Sequence, residues 1–319
     1  NNILEVYQTV KGVRDYCINQ QKPYLIECDT FRMRGHEEAS GVKYVPKHLM
    51  ETWSLKDPIK NYEQYLVQKN VLTEMQVADI RNRFKDQMEA DLRKAMEPET
   101  FEPSVAAELA DVFAPVPVSN IPDYSLVETA QKTNKRFIEA ISDALRQSME
   151  KYPDMIIMGQ DIAEYGGAFK ITEGFVDQFG KQRIRNTPIC ESAIIGAALG
   201  LSMEGIKSVV EMQFADFVTV AFNQIVNNLA KIHYRWGQNA DVVVRMPTGG
   251  GVGAGPFHSQ SNEAWFTHVP GLKVVYPSNP TDAKGLLIAA LAEPNPILYF
   301  EHKALYRSME EQIPDAMYQ

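Results

Sequence analysis

The chain has 319 residues, of which 45% are hydrophobic and 23% are charged, and its formal net charge is −9. This length predicts about two domains, each able to bury a hydrophobic core without disulfides or metals. The acidic balance argues against nucleic-acid binding, and no uncharged run reaches the roughly 18 residues of a membrane helix. The three cysteines (Cys17, Cys28 and Cys190) are widely spaced, which fits a reducing compartment better than a disulfide framework.

The first segment is predicted to be mostly helical. Apolar residues at helical spacing predict an opening helix, residues 24–28 are typical of a short strand, and residues 31–46 form a polar loop that contains His36. Thr73 and Gln76 have the spacing of a capping box. The apolar residues that follow at intervals of three and four predict one long helix with a single buried face: Val77, Ile80, Phe84, Met88, Leu92 and Ala95.

The middle of the chain has the composition of a linker. Prolines accumulate from the expected end of the long helix onward, at Pro98, Pro103, Pro115, Pro117 and Pro122. We place the main boundary at residues 115–131, where the chain is predicted to be extended and weakly packed.

Strand and helix signals alternate over residues 132–307. Strands are predicted at 155–159, 208–214, 242–246, 273–277 and 297–301, and helices at 193–203, 217–234 and 281–291, after a first helix with an apolar stripe (Phe137, Ile141, Leu145 and Met149). Continuous β-branched strands separated by helices predict an α/β domain whose parallel sheet is covered on both faces. Residues 308–319 show no clear element.

Two residues are candidates for chemistry on their local pattern alone. Glu191 opens an apolar helix, where it could simply complement the helix dipole or could bond a protonated ligand nitrogen from a partly desolvated position. His258 follows a glycine loop at the carboxyl end of a strand, where open α/β sheets place ligands. It is therefore either an acid or base near neutrality or a solvated loop residue. The glycine loop lacks the immediate helix and the acidic residue of a dinucleotide fingerprint.

Four runs in the second half resemble a known family in the family's order. They are NTPICESAIIGAALGLSMEG, VVEMQFADFVTVAFNQIVNNLAKIHYR, GAGPFHSQSNEAWFTHVPGLKVVYPSNPTDAKGLL and NPILYFEHKALYR. They resemble the β subunit of the thiamin-diphosphate-dependent, decarboxylating first component of 2-oxoacid dehydrogenase complexes, above all its branched-chain and pyruvate members. Two earlier runs, YLIECDTFRMRGHEEASGVKYV and DPIKNYEQYLVQKNVLTE, resemble the end of the α subunit of the same enzymes.

The resemblance implies an α/β subunit fusion of which this chain is a part. Residues 1–114 would be the C-terminal part of the α-like region, with the last strand of the diphosphate domain, the active-site loop and the helical tail. Residues 115–131 would be the linker, 132–307 the pyrimidine-binding domain of the β subunit, and 308–319 a tail toward a C-terminal domain. The family's GDG motif does not occur in the sequence. We therefore expect most of the diphosphate domain and the C-terminal transketolase-type domain to lie outside the chain.

The implied activity is oxidative decarboxylation of a 2-oxoacid, with transfer of the acyl group to the lipoyl domain of a dihydrolipoamide acyltransferase. The alternatives are a transketolase-like or acetoin-cleaving enzyme with the same cofactor, or a non-catalytic piece that lacks the phosphate-anchoring half of the site. The resemblance further implies a cytoplasmic protein that dimerises in the α2β2 manner, without nucleic-acid or membrane partners. The chain alone is expected to be inactive.

The resemblance also assigns site residues. Glu191 matches the carboxylate that bonds the cofactor's aminopyrimidine ring, Phe217 matches the aromatic residue packed on that ring, and Gln213 and Ile189 match residues that line its pocket. His258 and His36 match histidines near the reacting centre. A monovalent cation such as potassium would bind the matched positions Ala240, Val242, Ala290, Glu293 and Asn295. Magnesium would be held by ligands outside the chain.

Overall fold

A computed structural model describes residues 1–37, 39, 41–97, 104–118 and 121–319, with the side chain of Leu126 excepted. The chain folds as two units, Asn1–Glu102 and Pro103–Gln319. Pro98 and Pro103, at the start of the proline-rich stretch, and residues 119–120 of the predicted linker lie outside the described residues.

The described part of the first unit contains four helices, and local capping explains where they begin. They are α1 (Ile3–Gln20), α2 (Lys47–Ser54), α3 (Pro58–Gln68) and α4 (Glu74–Met96). Asn2 and Asp57 cap α1 and α3 with their side-chain oxygens. The predicted capping box of Thr73 and Gln76 is confirmed at the start of α4. The strand predicted at residues 24–28 is wrong, because the described residues of this unit offer it no partner strand.

The apolar stripe of α4 is not buried, so the prediction of a single buried face is wrong for this unit. Phe84 is 67% exposed and Leu92 is 59% exposed, and no described residue of the first unit is buried. Apolar residues at helical spacing show that one face of a helix is suited to burial. They do not show which element would pack against that face.

The second unit is built on a six-stranded parallel sheet, as predicted. Its strands, in the order β3-β2-β4-β5-β7-β6, are β2 (Ile156–Gly159), β3 (Ile184–Asn186), β4 (Ser208–Glu211), β5 (Val242–Thr248), β6 (Lys273–Val275) and β7 (Ile297–His302). Only the three-residue strand β3 escaped prediction, since it is too short to show a pattern.

Helices cover both faces of this sheet, as the continuous apolar strands predicted. The helices of the unit are α5 (Val105–Ala110), α6 (Phe137–Lys151), α7 (Phe175–Phe179), α8 (Glu191–Met203), α9 (Val218–Asn223), α10 (Ile232–Trp236), α11 (Pro280–Ala292) and α12 (Leu305–Ser308). Alternate strand residues point to opposite cores: Val209 joins the core with α6 and α11, and Val210 joins the core with α8 and α9. None of the helices in the described ranges is long and apolar enough to cross a membrane.

The end of the chain forms a strand where we predicted no element. Strand β8 (Glu310–Pro314) pairs antiparallel with β1 (Lys132–Arg136), so that Thr133 lies opposite Ile313. Lys135 lies opposite Glu311 and Arg136 opposite Glu310, and such opposite charges stabilise cross-strand pairs. The prediction failed because this stabilising partner is far away in the sequence, and β8 alone is short and polar.

The single helix predicted over residues 217–234 is interrupted. A 3-10 turn (Ala215–Phe217) leads into α9, and a π-helical segment (Gln224–Leu229) follows before α10. Within it, the N–H of Ala230 donates to the carbonyl of Ile225 at 3.0 Å, one residue further back than in an α-helix. Such wide turns are not encoded in apolar periodicity and are frequent near functional sites.

Candidate functional site

The candidate residues of the second unit collect at the carboxyl edge of the parallel sheet. Gln160 directly follows β2, Phe214 follows β4 within three residues, and Lys303 directly follows β7. The loop after β5 leads to His258. In open α/β sheets this edge is where ligands bind, because the connecting loops there present side chains from several strands.

Glu191 is held at the N-terminus of α8 in a position with little solvent. It is 5% exposed and occupies the first position of the helix, where the helix dipole favours a negative charge. The side-chain amide of Gln160 donates a hydrogen bond of 3.0 Å to Glu191 Oε1. Gln160 was not predicted, since the contact joins residues 31 positions apart. The bond fixes one carboxylate oxygen and orients the other.

Phe214, Phe217 and His258 form an aromatic cluster. The imidazole of His258 stands edge-on to Phe214, with ring centroids 4.7 Å apart, and edge-on to Phe217 at 5.5 Å. The two phenyl rings are 5.7 Å apart. His258 Nδ1 is buried without a hydrogen-bond partner in the described part of the chain. The structure therefore places two of the predicted site residues, Phe217 and His258, against each other.

The glycine loop before His258 is fixed at both of its ends. Gly249 has a φ of +78°, and a Cβ at this position would lie 2.6 Å from His302 Nε2, so only glycine fits there. At the far end, Asp216 Oδ1 accepts hydrogen bonds from the backbone N–H groups of Ser259 (3.2 Å) and Gln260 (3.1 Å). Asp216 thus anchors the residues immediately after His258.

The other residues that the resemblance assigned lie in different environments. Gln213 is half-buried beside Phe214. Ile189 is 85% exposed, so its side chain lines no enclosed space within this unit. His36 lies on an exposed bend of the first unit.

A buried charge network that was not predicted crosses the same sheet. Arg245 is fully buried and donates to Glu301 Oε1 (2.7 Å), Glu301 Oε2 (2.8 Å) and Glu211 Oε2 (2.7 Å). The hydroxyl of Tyr306 donates to Glu301 at 2.7 Å. Burial raises the pKa of Glu211. Burial would lower the pKa of Arg245, but the carboxylates of Glu301 and Glu211 raise it above its ordinary value.

The residues matched to a monovalent-cation site have protein partners instead. Asn295 Oδ1 accepts the N–H of Ala114 at 2.7 Å, and Glu293 Oε1 accepts from Lys273 Nζ at 2.7 Å. The carbonyl of Ala240 accepts the N–H of Val242 at 2.9 Å, and that of Ala290 accepts the N–H of Glu293 at 3.4 Å. A cation role for these positions stays a prediction of the resemblance. Across the described residues, no group of three or more His, Cys, Asp or Glu side chains could hold a metal ion.

Comparison with known families follows the division into two units. Residues 134–309 match the model of the transketolase pyrimidine-binding domain, and residues 1–104 match that of the dehydrogenase E1 component. The chain belongs to the transketolase pyrimidine-binding-domain family. The two matches agree with the resemblance of the sequence motifs to the first component of 2-oxoacid dehydrogenase complexes.

Curated relatives agree with this assignment. The chain is 47% identical over 180 residues to the 2-oxoisovalerate dehydrogenase subunit beta of Bacillus subtilis, with 56% of this chain and 55% of the relative covered. It is 40% identical over 203 residues to the mitochondrial subunit of that name in Dictyostelium discoideum (63% and 55% covered). It is 42% identical over 183 residues to the pyruvate dehydrogenase E1 component subunit beta of Staphylococcus aureus (57% and 56% covered).

The chain spans about half the length of these curated relatives. Among solved structures, a split-gene transketolase described as an inactive beta4 tetramer matches with a TM-score of 0.43 and 21% identity, covering 52% of this chain and 50% of that one.

Proposed function

We propose that the protein decarboxylates a 2-oxoacid with thiamin diphosphate and passes the acyl group to a lipoyl domain. The observation that carries the proposal is the carboxylate of Glu191, which is buried at a helix N-terminus and hydrogen-bonded to Gln160, the residue that follows β2. When bound, thiamin diphosphate supplies a carbon nucleophile for the oxo group of the substrate.

Glu191 would bind the protonated ring nitrogen of the cofactor's aminopyrimidine. A hydrogen bond between an ionised acceptor and a charged donor is about twice as strong as a neutral one, and low solvent access strengthens it further. The N–H of Gln160 holds Glu191 Oε1, which leaves the second oxygen for the ligand. Phe217 offers an apolar face for the same ring, and the half-buried Gln213 contributes to the pocket.

His258 would move a proton close to the substrate. Its Nδ1 has no protein partner in the described structure, and its ring is held by the edges of Phe214 and Phe217 rather than by a carboxylate. An imidazole held in this way is positioned but keeps both nitrogens for the reaction, as general acid–base catalysis requires. We assign His36 to the same reaction on the resemblance of its loop alone.

The proposal is tested by replacing the carboxylate with its neutral isostere, Glu191→Gln. We expect at least a 100-fold slower exchange of the thiazolium C2 proton with deuterium, because the neutral amide no longer stabilises the protonated ring. Proton exchange is followed by NMR, and binding of thiamin diphosphate by calorimetry. Glu204→Gln, an exposed glutamate at the other end of α8, is the matched control and should exchange like the wild type.

Wild-type exchange in Glu191→Gln would contradict the role of the carboxylate. The reaction class is decided separately by offering pyruvate, 2-oxoisovalerate or acetoin together with a lipoyl domain. Acylated lipoyl domain supports the 2-oxoacid reaction, whereas cleavage of acetoin without acylation supports the alternative. Failure of cofactor binding together with failure of both reactions supports a non-catalytic piece.

The proposal includes the expected assembly and location. We propose an α2β2-like dimer of the fusion that meets the lipoyl domain of an acyltransferase in the cytoplasm. The free state of Cys17, Cys28 and Cys190 supports a reducing compartment. The exposed apolar stripe of α4 supports a partner for the first unit.

A further inference from the structure

One buried cation near the aromatic cluster makes no hydrogen bond within the part of the chain that the structure describes. Lys303 is 5% exposed, and its Nζ is buried without a hydrogen bond to any other described residue. Native proteins seldom bury an ammonium unpaired, because desolvation of the charge is costly. The three N–H donors of Lys303 are therefore available to a ligand.

Lys303 belongs to the same edge of the sheet as the proposed site. It follows β7, and its backbone N–H donates to the carbonyl of Thr248 at 3.0 Å, so that it is fixed at the end of β5 as well. Its Nζ lies 5.3 Å from the centre of the Phe214 ring, and the ring of His258 lies 4.7 Å from that same ring. The ammonium and the imidazole thus both lie beside the Phe214 ring, and both rings are only half-buried. A ligand would approach Nζ past these rings.

Asp216 explains how the lysine can stay charged. Burial lowers the pKa of Lys303, and the negative charge of Asp216 opposes this shift. Asp216 is itself 5% exposed, and its Oδ1 accepts hydrogen bonds from two backbone N–H groups. Its Oδ2 is buried without a partner among the described residues, so the carboxylate does not occupy the donors of Lys303 by a direct hydrogen bond.

We infer that Lys303 binds the carboxylate of the 2-oxoacid substrate beside the Phe214 ring. This inference rests on the proposed function and adds a specificity-determining residue to it. An ammonium at this place favours an acid over the uncharged ketone of the same carbon skeleton. Asp216 has two roles in this arrangement: it anchors the His258 loop, and its negative charge opposes the effect of burial on Lys303.

The test measures binding of 2-oxoisovalerate to the cofactor-free protein by NMR line broadening, together with the side-chain signals of Lys303. Lys303→Met should weaken binding at least about 10-fold, because a charge-assisted hydrogen bond is lost. Lys132→Met, at an exposed lysine of β1, should bind like the wild type. Isopropyl methyl ketone lacks the carboxylate, so its affinity should be the same for the wild type, Lys303→Met and Lys132→Met.

Two further arms keep the inference open to refutation. Glu204→Gln should bind 2-oxoisovalerate like the wild type, and because thiamin diphosphate is absent from this test, a failed cofactor role and a failed carboxylate site give different results. Inorganic phosphate should compete weakly; tighter binding than 2-oxoisovalerate would assign the site to a phosphate group and overturn the inference. If Lys303→Met does not fold, the test uses only the NMR signals of the Lys303 side chain in the wild type. If these signals do not shift when 2-oxoisovalerate is added, the inference is overturned.

Discussion

Arg245 and Lys303 are both buried cations, but they differ in what surrounds them. Arg245 donates to Glu211 and Glu301, whereas Lys303 donates to no other described residue. The same change to methionine should therefore have different effects at the two positions. At Arg245 it leaves two buried carboxylates uncompensated, whereas at Lys303 it removes an ammonium that makes no hydrogen bond to any described residue.

Arg245→Met is expected to lower the free energy of unfolding by about 3–5 kcal/mol, the usual cost of breaking a buried ion pair by removing one partner. Urea denaturation followed by circular dichroism measures this loss. Arg185→Met, at an exposed arginine of β3, is the control and should change stability little. A loss below about 1 kcal/mol at Arg245 would show that the carboxylates are protonated or hydrated without it.

The stability of the wild type relative to Lys303→Met is expected to depend on pH. Because burial lowers the pKa of Lys303 in the folded state, the unfolded chain binds more protons between that pKa and the ordinary value of about 10.4. The free energy of unfolding of the wild type should therefore rise with pH in this window, relative to the variant. Denaturation at pH 7, 8, 9 and 10 gives the difference. A constant difference would contradict the lowered pKa.

Some site residues could be predicted from sequence motifs, whereas others became visible only in the structure. Glu191, Phe217 and His258 stand in long runs that resemble a family, and so they could be predicted as candidates. Gln160 and Lys303 show no local signal. Gln160 is defined by a hydrogen bond to Glu191 at the start of α8, and Lys303 by its burial beside Phe214. Contacts of this kind arise from the tertiary fold.

Among the elements, those buried on both faces were predicted most accurately. Strands β2, β4, β5 and β7 are continuous apolar runs, and the buried stripe of α6 gives a clear period. The predictions failed where the secondary structure of a segment depends on another element that packs or pairs with it. Strand β8 needs β1, the strand expected at residues 24–28 has no described partner, and the π-helical turn depends on packing rather than on composition.

Ile313→Ala should destabilise the second unit by about 2–5 kcal/mol, because Ile313 is fully buried in the core beneath α6 and α11. Gln312→Ala changes the neighbouring exposed residue of β8 and should have little effect. Urea denaturation of the two variants against the wild type measures the difference. Equal stability of both variants would mean that β8 does not contribute to the core.

At the scale of the molecule, contacts between distant parts of the chain hold the second unit together. Asn295 pairs with both backbone groups of Ala114, accepting from its N–H at 2.7 Å and donating to its carbonyl at 3.0 Å. Glu293 binds Lys273 and also accepts from the amide of Asn295. The ammonium of Lys273, 5.4 Å from the ring of Phe113, supplies the positive charge within this cluster.

This cluster predicts that the protein does not require potassium for stability. A specifically bound cation would raise the melting temperature by several degrees at saturating concentration. We expect melting temperatures within about 1 °C of each other in KCl and NaCl at equal ionic strength. Lys273→Met should lower stability in both salts. A rise specific to KCl in the wild type would show that the ion displaces the lysine.

The pairing of β1 with β8 also has a consequence for the order of events during synthesis. The ribosome makes β1 at the start of the second unit, but its partner follows more than 170 residues later. The central strand β5 likewise pairs with β7, which is synthesised only after β6. Such non-local pairing slows folding. The unit is therefore expected to stay open, and dependent on chaperones, until its last strand has left the exit tunnel.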